Sequence, residues 1–345
     1  MSEALYVRLW GIYHPPQHHT PVRRFVFHAI WKTGSYMLRW KVLRPQCRLH
    51  NWDCLTSESC MRVGYAECHA RVSDAVGRQK YLHPSHFTVL RMQNGCCPSL
   101  EARLNSGKLS LVEHFPLNIA ENREFLERHF KSNNKSSVFR FTFIRDPLLQ
   151  FVSTYLQLKA DSNDKRFPAH SDLIDLFWRV ATSQLTRFQL SWPHRFLYSV
   201  IANHQSQTLG WLPCDGDRWD SNYDSNSSTN GRQNSCQDNF PQVLSYLSAL
   251  DFVGVSNEMS ATLYLLQKRT GWSHAQVFPM HASWRRNDSP NPYSFAEKET
   301  TSRKLLATLS DKQIKKLRRI QSVDLKLYER ACQIFYAYPE LSENT

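Results

Sequence analysis

The chain has 345 residues, 41% of them hydrophobic, with 43 Lys and Arg against 30 Asp and Glu and a formal charge of +13. That length and apolar content allow one large α/β domain or two small ones, and the charge points to anionic partners: nucleic acid, a phosphorylated cofactor, acidic glycan or a membrane surface. Nine cysteines, an odd number, exclude a complete intrachain disulfide framework while leaving individual bridges open.

Residues 1–22 read as an extension without the apolar core of a signal peptide, and no run of about 18 apolar residues occurs anywhere. The chain as written therefore reads as soluble and cytoplasmic, and work in a secretory compartment would need an anchor upstream. From Phe25 to Ile30 a short apolar run predicts a strand, followed by the loop Trp31-Lys32-Thr33-Gly34-Ser35 and a helix over Tyr36 to Leu43. Residues 45–85, with four cysteines and several histidines among charged residues, read as an irregular insertion.

Leu109 to Val112 predicts a second strand, ending at Glu113-His114-Phe115-Pro116, where proline stops further pairing. The clearest strand is Val138 to Ile144. It ends at Arg145-Asp146-Pro147, and proline followed by Phe151, Val152, Tyr155 and Leu158 at helical spacing signals a helix start. Residues 213–240 are rich in Asp, Ser, Asn, Gly and Gln and read as a polar surface loop. Beyond them the pattern gives a helix over Pro241 to Leu250, a buried strand over Phe252 to Val255 and a helix from Met259 to Thr270 ending at Gly271. A last helical region runs from Ser310 to Phe335 and opens with the capping-box spacing of Ser310 and Gln313, and residues 337–345 form a tail. Strands alternating with helices imply a mainly parallel sheet covered on both faces, an α/β fold of P-loop-like three-layer type.

Both strand-to-helix loops suit anions. In the first, backbone N–H groups and the positive end of a helix dipole converge beside Lys32, with Gly34 permitting close approach; a surface lysine ahead of an amphipathic helix is the competing reading. The loop lacks the G-x-x-x-x-G-K-[ST] spacing of nucleotide kinases. In the second, Arg145 offers a rigid fork for a phosphate and Ser153 a hydroxyl; here the alternative is an Arg-Asp pair capping the helix. Cys54, Cys60, Cys68 and His69 lack paired zinc spacing, and no metal is expected. Lys312, Lys315, Lys316, Arg318 and Arg319 read as a solvated helix face before a glycan groove. Asn134, Asn226 and Asn287 head glycosylation triplets.

The K-T-G-S loop at 32–35 and the R-D-P loop with Ser153 and Tyr155 resemble the two phosphate-binding loops of sulfotransferases that use 3′-phosphoadenosine-5′-phosphosulfate (PAPS), particularly the Golgi carbohydrate sulfotransferases. Three further segments are similar in order: Ser183-Gln184-Leu185-Thr186-Arg187, the strand Phe252-Val253-Gly254-Val255 with its helix to Gly271-Trp272, and Asp324 with Leu327-Tyr328-Glu329 and Ala331. The resemblance covers about residues 23–336. It implies that Lys32 contacts the sulfate and the bridging oxygen, that amides of Thr33, Gly34 and Ser35 bind the 5′-phosphate, and that Arg145 and Ser153 bind the 3′-phosphate, with Arg187 also on the donor. His114, after its strand, is the expected base, with Glu113 as the next candidate; removal of the acceptor proton is what such a transfer needs. Arg285 and Arg286 are candidates to close over the donor or hold an acidic acceptor. Trp31 and Tyr36 depart from the family pattern, which bears on the 5′ contacts and on whether the site is active at all.

The implied partner is a carbohydrate acceptor, neutral or acidic, with PAPS as donor, no metal, no nucleic acid, and a Golgi lumen location reached through an upstream membrane anchor. Two other readings stay open: a P-loop-like nucleotide kinase, and a non-catalytic protein binding RNA or acidic glycan through its net charge.

Overall fold

The computed structural model describes residues 22, 24–30, 33–34, 38–49, 51–55, 109–112, 117, 120–130, 138–161, 168–185, 189–212, 239–272 and 295–342. In chain order, β1 (Phe25–His28) leads through a π-helical segment (Leu38–Leu43) into α1 (Arg44–Leu49), β2 (Cys54–Leu55), β3 (Ser110–Leu111), α2 (Ala120–His129) and β4 (Phe139–Ile144). Then come α3 (Pro147–Asp161), α4 (His170–Ala181), α5 (Trp192–Ser199), α6 (His204–Thr208), α7 (Phe240–Ser248) and β5 (Phe252–Val255). A 3-10 turn (Ser256–Glu258) opens into α8 (Met259–Thr270), and α9 (Phe295–Leu306), α10 (Asp311–Ile320), α11 (Ser322–Tyr336) and α12 (Pro339–Ser342) complete the chain.

The five strands lie in the order β2-β3-β1-β4-β5, and every pairing is parallel. Both faces of the sheet are covered, yet β4 alternates along most of its length, with Phe139, Phe141 and Phe143 on one face and Arg140 and Thr142 on the other. On one face Phe25, Phe27, Phe141, Phe143 and Phe252 form an aromatic seam, with Phe27 stacked on Phe141 at 4.9 Å. Leu263 and Leu266 of α8, Trp272 and Phe335 of α11 pack over it. On the other face Val26 and Leu111 meet Phe125 and Phe130, while Ile144 and Val253 meet Val243 and Leu247 of α7 and Leu327 and Ala331 of α11. Helices α3, α4, α5 and α10 build a separate cluster around Phe151, Phe177, Leu197 and Leu317.

Gly254 allows α8 to lie close to the sheet. A Cβ at that position would stand 2.4 Å from the Thr262 methyl and 2.8 Å from the Phe143 ring, distances that a β-branched side chain and a packed ring cannot relieve cheaply. The close approach lets the Thr262 hydroxyl accept from the Val255 N–H at 3.0 Å and donate to the Val255 carbonyl at 2.8 Å.

Strands β1, β4 and β5 and helix α8 fall where the sequence predicts them, and Ser310 and Gln313 form the capping box at the start of α10. Three boundaries differ. The stretch expected to be irregular from residue 45 begins inside α1 and supplies the edge strand β2, joined to α1 by a Cys47–Cys54 disulfide. Two residues of strand are too short for a period-2 signal. The final helical region divides at Gln321, whose side-chain amide donates to the Ile201 carbonyl at 3.3 Å. Residues 337–342 are no loose tail: the Val253 N–H donates to the Tyr338 hydroxyl at 2.8 Å, and the Arg269 guanidinium lies 3.9 Å above the Tyr338 ring. Residues 56–85 and 213–238 lie outside the described residues. Among the described residues no helix is long and apolar enough to cross a membrane.

Candidate active site

The chain leaves β1 toward β2 on one side and leaves β4 toward β5 on the other. Adjacent strands whose connections diverge open a crevice at their carboxyl ends, the usual ligand position in open parallel sheets. Both predicted anion loops are at that crevice.

In the first loop, Thr33 is fully buried and its hydroxyl donates to the Ile30 carbonyl at 3.0 Å, so it serves the turn and leaves only its backbone to a ligand. Gly34 follows at φ +82°, a left-handed conformation that glycine adopts without strain. The Leu38 N–H then donates to the Gly34 carbonyl at 3.1 Å, beginning the helix. Lys32 and Ser35 lie outside the described residues, as do Glu113, His114, Arg187, Arg285 and Arg286. Strand β3 pairs with β1 and ends at this same edge.

In the second loop, Asp146 is the helix cap: one carboxylate oxygen accepts from the Leu148 N–H at 2.8 Å and the Leu149 N–H at 3.2 Å. The alternative of an Arg-Asp pair is thus half realised, because Arg145 turns elsewhere. Arg145 is 4% exposed, and its Nη2 donates to Glu299 of α9 at 2.5 Å, while Glu299 also pairs with Arg303 at 3.0 Å. Burial lowers the Arg145 pKa, and the Glu299 carboxylate works against that shift. Arginine remains charged under such a shift, so the buried fork is a fixed positive charge with a carboxylate held in it. Ser153 is half-buried on α3, and Tyr155 is buried with its hydroxyl donating to the Pro168 carbonyl at 3.2 Å, a structural role. Ser183 takes a left-handed φ of +58° in the turn that ends α4.

Four residues to which the sequence reading assigns no role at the site hold these loops. The Gln205 side chain accepts from the Arg145 N–H at 2.9 Å and donates to the Arg145 carbonyl at 2.8 Å. Asp324, fully buried, in turn accepts from the Gln205 N–H at 3.0 Å, the Ser206 N–H at 2.7 Å and the Ser206 hydroxyl at 2.6 Å. From the turn after β5, the Ser256 hydroxyl donates to the Thr33 carbonyl, and the Asn257 side-chain oxygen accepts from the Asp146 N–H at 2.9 Å. Asp324 stands in the terminal motif and Ser256 and Asn257 follow the late strand, so those three were marked indirectly. Gln205 carried no signal.

The fold is thus a parallel α/β sheet with two strand-to-helix loops at its topological switch point, one carrying a buried arginine, the usual ligand position in such sheets. The family model described as "Sulfotransferase family" matches residues 86–330, and the chain belongs to that family. No curated protein matches the chain.

Proposed function

We propose that this sulfotransferase takes its sulfuryl group from PAPS and places it on a hydroxyl of a carbohydrate, within a single domain spanning residues 23–336. The observation that carries this reading is Arg145, a buried residue just past the carboxyl end of β4 whose Nη2 already holds one carboxylate oxygen, that of Glu299. A second anion loop stands beside it on β1. Two separated anion sites on adjacent strands fit a nucleotide bearing both 3′- and 5′-phosphates.

Bound there, the donor supplies an activated sulfuryl group on a phosphate leaving group. Arg145 and Ser153 hold the 3′-phosphate, and Arg187 adds a further donor contact. The backbone of Thr33, Gly34 and Ser35 holds the 5′-phosphate, and Lys32 neutralises charge at the bridging oxygen. His114 takes the acceptor proton as the new oxygen–sulfur bond forms, while the bond from sulfur to the phosphate oxygen breaks and its electron pair stays on that phosphate. Such in-line transfer depends on positioning and on positive charge about the transferring group. The Cys47–Cys54 disulfide favours an oxidising, Golgi-type compartment over the cytosol.

The deciding experiment incubates the full chain with radiolabelled PAPS and a panel of neutral and acidic glycans. Label on a glycan is expected, with turnover falling at least about 100-fold in Lys32→Ala, the usual loss of transition-state charge stabilisation. Arg145→Ala should weaken 3′-phosphoadenosine-5′-phosphate far more than adenosine 5′-phosphosulfate, which lacks the 3′-phosphate. Equal losses for both ligands would reject the Arg145 assignment, and ATP hydrolysis without transfer to any glycan would overturn the reading.

A further inference from the structure

A cavity of about 450 Å³ lies on the sheet face between α2 and α7, apart from both anion loops. Its floor is the β1/β4 pair, where Val26 stands in register with Arg140 and His28 with Thr142. Leu126, Phe130 and Val243 give its walls an apolar character, and Thr33, Gly34 and Arg145 take no part in lining it.

Two guanidinium groups, Arg123 from α2 and Arg140 from β4, line this space together with one carboxylate, Glu127 of α2. Among the described residues neither side chain has a salt-bridge partner, although Glu127 follows Arg123 by four residues on the same helix. The Asp251 carboxylate accepts at 2.7 Å from the Arg140 backbone N–H, not from its side chain. Arg140 is half-buried, and its charge reaches inward far enough to act on both His28 and Tyr246. The His28 ring is 1% exposed, with Nε2 2.7 Å from the Tyr246 hydroxyl and Nδ1 lacking a hydrogen-bond partner. Two guanidinium groups against one carboxylate leave this space with an excess of positive charge, which favours a negatively charged occupant.

We propose that this cavity binds a small organic anion with an apolar ring body, its acidic head between Arg123 and Arg140 and its body against Leu126, Phe130 and Val243. A volume of this size is in the range of small-molecule sites, and a largely apolar lining with a few converging polar groups is their usual make-up. The site is separate from the donor loops, so its occupant binds alongside the nucleotide. His28 is held neutral by burial, with a pKa of about 3, so the positive charge offered to the ligand comes from the two arginines.

The test titrates the full chain with 1-anilinonaphthalene-8-sulfonate, a fluorescent aromatic sulfonate, and with N-phenyl-1-naphthylamine, its uncharged counterpart. One saturable sulfonate site is expected, weakened about tenfold by Arg123→Gln and again by Arg140→Gln, the loss of one charge-assisted contact each. The uncharged probe should change less than about threefold in either variant, since it makes no such contact. Val243→Trp, which fills the space, should remove both. Saturating 3′-phosphoadenosine-5′-phosphate should leave sulfonate binding in place, and this readout does not depend on turnover. Arg123 is on the outer helix, so Arg123→Gln carries the test even where Arg140→Gln lowers the melting temperature. Sulfonate affinity indifferent to Arg123→Gln, or displacement of the probe by the nucleotide, overturns the proposal.

Discussion

The Gln205 side chain brackets the backbone of Arg145, accepting from its N–H at 2.9 Å and donating to its carbonyl at 2.8 Å. One amide therefore fixes the peptide groups on both sides of the arginine's Cα, and with them the direction in which the guanidinium leaves the sheet.

Gln205→Leu should leave two buried backbone groups unpaired, each at a cost of about 1–3 kcal/mol. Urea denaturation should register that loss, and calorimetry should show 3′-phosphoadenosine-5′-phosphate binding at least about tenfold weaker in the fraction that folds, an angular error at a charged contact being costly. Lower stability with unchanged nucleotide affinity would make Gln205 a packing residue only.

Glu299 occupies the guanidinium fork that the 3′-phosphate is proposed to use. Glu299→Gln should therefore lower the melting temperature of the unliganded protein, because a buried guanidinium loses its ion-pair partner. The same substitution should tighten 3′-phosphoadenosine-5′-phosphate by about tenfold, since a competing anion has gone. Weaker nucleotide binding in this variant would assign Glu299 the opposite role, that of orienting Arg145 for the ligand.

Burial raises the Asp324 carboxyl to about 6, against the hydrogen bonds from Ser206 and Gln205 that favour its ionised form. An unfolded aspartate titrates near 3.9, so between about pH 4 and 6 the folded chain holds a proton that the unfolded chain has released. This group's contribution to stability is accordingly greatest below that window and declines as pH rises through it. His28, at about 3, and His204, at about 4, act in the reverse sense, losing stability as pH falls below the unfolded imidazole value. Those two are common to parent and Asp324→Asn and cancel in the difference. The stability difference, parent minus variant, should shrink by up to about 3 kcal/mol between pH 4 and 7 in urea melts. A difference that stays level or grows with pH would contradict the burial effect.

How legible the protein is in its sequence varies with the kind of constraint. Strands β1, β4 and β5 are readable because their short, aromatic- and valine-rich segments end at turn residues, and α8 and α10 because Gly271 and the Ser310–Gln313 box mark a boundary of each. The positions of Thr33, Gly34 and Arg145 followed from the loops those strands set. What stayed hidden depends on contacts distant along the chain. Gln205 is 60 residues from Arg145, Asp324 is 119 from Gln205, and Glu299 is 154 from Arg145. No local period or spacing encodes such partners. The strand β2 was missed for a different reason: Cys54 and Leu55 are too few to show alternation, and their place follows from pairing with Ser110 and Leu111.

The turn after β5 touches both anion loops, Ser256 through the Thr33 carbonyl and Asn257 through the Asp146 N–H. Neighbouring residues on one short turn thereby tie Thr33 and Asp146 to the same piece of scaffold. A substitution that loosens this turn should therefore disturb both loop positions at once and weaken a bisphosphate nucleotide at both of its ends.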